Sequence, residues 1–91
     1  MVHVTDRARA QLKAAADRIL DESERRLRLG PTPDGKLGVY PDRAQDGDQV
    51  VEHDGVAVLL IGRDLAQALA GRMIDFEERD SESRFTLKPR S

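Results

Sequence analysis

At 91 residues the chain has room for one domain with a modest core and not for two. Fifteen Lys and Arg against 17 Asp and Glu leave a net charge of -2, without the basic excess that a phosphate backbone requires, so nucleic acid is not an expected partner. Hydrophobic residues make up 38% of the chain but aromatic residues only 3%, which implies an aliphatic core. The absence of any Cys excludes disulfides, thiolate metal sites, thiol nucleophiles and cysteine-held clusters.

An extended start at residues 2–4 precedes Thr5, a good helix N-cap, with Asp6 placed to meet the positive end of the helix dipole. Ala8, Leu12, Ala15, Ala16 and Ile19 then recur at helical spacing, which predicts a helix ending near Ser23 with one narrow apolar stripe. In Arg26-Leu27-Arg28-Leu29 the period changes to two, which predicts a strand with its leucines buried and its arginines wet. Gly30-Pro31-Thr32-Pro33-Asp34-Gly35 reads as a loop, followed by a strand at residues 36–40 that Pro41 stops or edges, and a polar connection at residues 42–48.

Asp54-Gly55, flanked by Gln49–His53 and the apolar Val56–Ile61, predicts a two-residue hairpin turn whose second strand is covered on both faces. A two-turn helix is expected next, capped by Asp64, burying Leu65, Ala68 and Leu69 and ended by Gly71. Alternation of Ile74 and Phe76 with Asp75 and Glu77, and of Phe85 and Leu87 with Arg84, Thr86 and Lys88, predicts a closing hairpin with its turn at residues 80–83. The predicted class is α+β, mainly β with two helices, and not a doubly wound sheet. No stretch reads as a signal peptide, and Val56–Ile61 falls far short of the roughly 20 residues that cross a bilayer, so neither a membrane nor an export route is expected and the chain is read as cytoplasmic.

In this order the segments resemble the HesB/IscA-like family, the A-type iron–sulfur carriers. The resemblance runs through Val4-Thr5 and Ala8, Leu27-Arg28-Leu29-Gly30, Val51-Glu52-His53-Asp54-Gly55-Val56-Ala57-Val58, Leu65, Ile74-Asp75-Phe76 and Phe85-Thr86. It implies a sandwich of two mixed β-sheets with helices packed outside, and a homodimer or larger oligomer. It also implies three ligating cysteines, one in the loop after the Leu-Gly strand and two in a C-terminal tail, and none stands here. Counted from Leu29-Gly30, the loop cysteine's position falls on Lys36, with Gly38 still matching a glycine of the family. An ammonium group is no ligand, so fold and cluster chemistry are expected to part company in this chain.

The remaining candidates carry little chemistry. His3 and His53 are the two imidazoles, and a transition-metal site would have to recruit carboxylates such as Glu52 or Asp54 to them; a hairpin end decorated with polar groups is the expected reading. Asp75, Glu77 and Glu78 could pair carboxylates for acid–base work, but Asp75 and Glu77 alternate with Ile74 and Phe76 and read as the wet face of a strand, and the serines follow no nucleophile-elbow pattern, so an enzyme is not expected. The stretch 30–38 does not open a helix and lacks the Gly-Lys-Ser/Thr ending of a phosphate loop, so it reads as a structural turn, with Lys36 as a contact for an anionic group of a partner as the alternative reading. The sequence thus predicts a non-catalytic module without a cofactor that binds an unidentified protein or itself. The alternative is an iron or cluster trafficking protein that uses His53, carboxylates or a partner's thiols.

Overall fold

The computed structural model describes residues 2–19, 25–31, 33, 37–79 and 82–89. Strand β1 (His3–Val4) leads into α1 (Asp6–Ile19), and Thr5 caps the helix by accepting the Ala8 amide N–H on its hydroxyl at 3.2 Å. The helix buries Ala8, Leu12 and Ala15. Ile19, expected on the same stripe, is exposed, because the buried face ends one turn earlier where α1 leaves the core. Its expected end near Ser23 lies outside the described residues.

The strands that follow are β2 (Arg25–Pro31), β3 (Leu37–Arg43), β4 (Gln49–His53) and β5 (Val56–Ile61). After α2 (Arg63–Ala68) come β6 (Arg72–Arg79) and β7 (Glu82–Pro89). Among the described residues they form two mixed sheets, β1-β6-β7 and β3-β2-β5-β4, with β1/β6 and β2/β5 parallel and the other neighbours antiparallel. The inner faces meet over one aliphatic core in which Leu27, Leu29, Val58, Leu59 and Ile61 face Val4, Ile74 and Phe76, with Leu12 entering from α1. One side of the sandwich is laced shut. The Gln49 side chain accepts the Val2 amide N–H at 3.0 Å and donates to the Val2 carbonyl at 2.8 Å. On another side β3 and β7 come together as outer strands.

Several boundaries differ from expectation. Gly30 and Pro31 are not loop but the end of β2, paired with Gly38 and Leu37. The β2/β5 ladder registers only at Arg28 and Leu60, so Pro31 lies where a missing donor breaks no second ladder. Pro41 does not stop β3, which continues to Arg43, because β3 is the outer strand of its sheet. Asp64 does not cap α2. The helix begins after an extended Gly62 without a side-chain cap, and Asp64 sits in its first turn. Leu65 and Leu69 pack inward, whereas Ala68 is exposed and Ala66 contributes instead, since the helix is already unwinding at Leu69.

The Asp54-Gly55 turn is as expected, with φ of 52° and 77° and a direct pairing of His53 with Val56. Two ladder pairs away from the turn the β4/β5 register shifts between Val51 and Glu52. A Cβ at Gly55 would meet nothing within 4 Å, so Gly55→Val is expected to cost about 1 kcal/mol through backbone strain alone. An unchanged thermal midpoint in that variant would contradict the turn geometry.

Candidate functional site

The position that the resemblance assigns to the family's loop cysteine stands, in sequence, between β2 and β3. Lys36 itself falls outside the described residues, so the anion contact expected there belongs to the proposal below. Strands β2 and β3 are ordinary antiparallel β, with Gly30 across from Gly38. Gly30 also gives room to Tyr40, since a Cβ there would stand 2.7 Å from the ring of that exposed side chain.

One strand step back lies the most polar buried centre among the described residues. Arg28, expected on a wet face, is only 7% exposed. Its Nη1 and Nη2 donate to the two carboxylate oxygens of Asp48 at 2.9 and 2.7 Å, its Nε donates to Asp42 at 2.6 Å, and Nη2 reaches the Arg43 carbonyl at 3.1 Å. Asp48 further accepts the Gln45 amide N–H at 2.7 Å. The fork geometry of guanidinium on carboxylate fits this arrangement. Arg28 holds the Asp48 carboxyl below the usual range, while the Arg43 amide N–H and then Arg28 do the same for Asp42. Asp48 in turn raises the already high pKa of Arg28. The centre is a clasp of one guanidinium and two carboxylates that ties residues 42–48 across the outside of β2, and each of its three charged groups has a partner of opposite sign. An open hollow of about 420 Å³ beside it is lined by Asp46, Asp48, Arg63 and Asp64 among others.

Alternation alone did not reveal the clasp, because Arg28 occupies the face opposite Leu27 and Leu29 as a solvated arginine would. The available signal was compositional: three aspartates in the connection at residues 42–48, of which Asp42, on the strand that pairs with β2, and Asp48, beyond it, bind Arg28.

The other candidates stay apart. His53 is a partly buried hairpin residue 3.5 Å from the Asp54 carboxylate, and His3 pairs with Met73 on the other sheet. Asp75 and Glu77 do share a face, but they are not simply wet. Asp75 accepts the Thr5 hydroxyl at 2.7 Å and the Phe76 amide N–H at 2.8 Å, which lower its pKa in that order, and Lys88 pairs with both carboxylates. Glu77 in turn raises the pKa of Lys88. These groups join α1 to the β6–β7 hairpin. Glu78 instead lines a hollow of about 300 Å³ with Arg7, Gln11 and Phe76. Among the described residues no three His, Asp or Glu side chains come close enough to hold a metal ion, and the sequence supplies no thiolate. The donor set does not fit an iron–sulfur cluster.

Two solved structures resemble nearly the whole chain. Escherichia coli SufA, involved in biosynthesis of iron–sulfur clusters, aligns with a TM-score of 0.68 at 18% identity, over 97% of this chain and 84% of SufA. The fold is that of the A-type iron–sulfur carriers. IscA with its 2Fe-2S cluster aligns with a TM-score of 0.58 at 18% identity, over 98% of this chain and 85% of IscA. No family model and no curated protein matches the sequence. Among the described residues two mixed sheets and two helices therefore make this fold, in a chain whose sequence contains no cysteine. No helix among the described residues is long and apolar enough to cross a membrane.

Proposed function

We propose that this chain is a non-catalytic cytoplasmic module on the A-type carrier fold that acts by binding protein, its own copies included, and carries no iron–sulfur cluster of its own. One observation supports the reading most: a likeness spanning 97% of the chain coexists with a sequence that lacks every thiolate. Cluster irons take thiolates almost exclusively, with imidazole as an occasional substitute. His3 and His53 lie on different sheets, and Lys36 brings positive charge to the segment that joins β2 to β3 in sequence. Lys36 is then a contact for an acidic group of the partner.

Anaerobic incubation with ferrous iron and sulfide, followed by desalting, is expected to leave the protein colourless. A stoichiometric visible charge-transfer band that survives desalting would overturn the proposal and assign the chain to cluster trafficking through imidazole and carboxylate ligands.

A further inference from the structure

We propose that Arg25 and Arg43 together receive clustered carboxylates of a partner protein. The proposal rests on the interaction role argued above and names the chemistry of that partner. The two residues stand directly opposite one another where β2 begins and β3 ends. Arg25 shares the parity of Leu27 and Leu29, and Arg43 that of Leu37 and Val39, so the pair continues the core-facing columns of the two strands to the end of the ladder. Directly opposed strand residues are about 4.5–5.5 Å apart at Cα, and like charges so placed repel. Both side chains are exposed, and neither guanidinium has a hydrogen bond or an ion pair among the described residues.

The neighbouring acids are already committed. Both carboxylate oxygens of Asp42 are engaged, one by Arg28 Nε at 2.6 Å and the other by the Arg43 amide N–H at 2.8 Å. Those of Asp48 accept the two terminal nitrogens of Arg28 and the Gln45 amide N–H. Arg28 thus gathers the local negative charge on the outer face of β2 and leaves Arg43 without a counterion. The same bonds fix the backbone that carries Arg43, since its N–H is held by Asp42 and its carbonyl accepts Arg28 Nη2 at 3.1 Å. Arg25 is fixed in a similar way, its carbonyl accepting Arg26 Nη1 at 2.8 Å. Two guanidinium groups on backbones held in place make a preorganised receptor for anions.

In a chain whose net charge is -2 this is a local concentration of positive charge and not a consequence of a basic surface. Guanidinium groups pair bidentately with carboxylates. The exposure of both side chains decides between free and tethered anions. A free anion on an open surface is screened and weakly held, whereas carboxylates on a partner bring the rest of its contact surface with them. Because β3 is the outer strand of its sheet, the flank of Arg43 lies open to an approaching chain.

Fluorescence anisotropy of a fluorescein-labelled peptide of alternating Glu and Gly, titrated with the protein at low salt, tests the pair. Arg25→Gln and Arg43→Gln together are expected to weaken peptide binding about tenfold, and Arg72→Gln, at an exposed arginine of the other sheet, less than about twofold. Equal weakening by Arg72→Gln would mean that overall charge holds the peptide, and would overturn the proposal. Neither Arg25→Gln nor Arg43→Gln alone is expected to lower the thermal midpoint, because each removes a repulsion. A fall in either would show that the guanidinium is bonded within the fold, which also overturns the proposal. Millimolar inorganic phosphate at constant ionic strength is expected to leave the peptide bound, and full displacement would overturn the protein partner in favour of a small anion. A peptide that fails to bind wild-type protein would overturn the arginine pair and leave the absence of a cluster standing, since that rests on the incubation with iron and sulfide.

Discussion

Arg28→Ala is expected to lower the unfolding free energy by about 3–5 kcal/mol, a large share of the stability of any domain this size. The loss does not measure the attraction in the clasp, since a buried ion pair contributes little net stability while both partners are present. It arises because the Asp48 side chain is only 5% exposed, and without the guanidinium its carboxylate is left buried and uncompensated. Asp42, more open to water, is expected to adapt. Urea denaturation of the variant at pH 7 is the measurement, and a loss under about 1 kcal/mol would mean that Arg28 is a surface arginine after all.

The same centre dictates an acid limb. Asp48 and Asp42 both have folded-state pKa values below those they would show in the unfolded chain. Their contribution is complete above the unfolded carboxylate range, near pH 4, and is lost as the pH falls from there through the lower folded values. Wild-type stability should therefore drop as the pH falls below about 4 more steeply than that of Asp48→Asn, which has no carboxylate to protonate at the centre of the clasp.

Leu12→Ala is the second large expectation, at about 3 kcal/mol and within the range known for buried leucines. The argument comes from the poverty of the helix interface. Of the three residues that α1 buries, two are alanines, so Leu12, 1% exposed, is the one large side chain that anchors the helix to both sheets. Its removal leaves a cavity that rigid strands on either side cannot fill by collapse. Unfolding followed by circular dichroism should show the loss, and a shift of less than about 1 kcal/mol would place the helix's docking energy elsewhere.

Much of the architecture was legible because it rests on local rules. The Thr5 cap, the Asp54-Gly55 turn, the burial of Val58, Leu59, Leu60 and Ile61 and the inward pair Ile74 and Phe76 each follow from spacing and backbone preference within a few residues. What escaped was set by distant partners. Pro31 read as loop until the sheet order shows that it interrupts no ladder on both sides, whereas Pro41, read as a stop or an edge, marks the edge. Arg28 read as solvated until residues 42–48 fold across it, and Asp75 read as wet until Thr5, seventy residues earlier, donates to it. Period-two alternation assigns a side chain to a face and says nothing about whether another part of the chain covers that face.

The pairing of Val4 with Ile74 has a consequence for how the protein is made. A ribosome releases residues in order, at roughly 5–20 per second. The strand at residues 3–4 can find its parallel neighbour only when the strand beginning at residue 72 has emerged, and the cap of the first helix gains its aspartate partner no earlier. Until then the apolar face of that helix has only part of its final surface to rest on. Such long-range closure slows folding. The nascent chain therefore holds its N-terminal segment uncommitted until the strand that begins at residue 72 has emerged, and the first sheet closes only at that step.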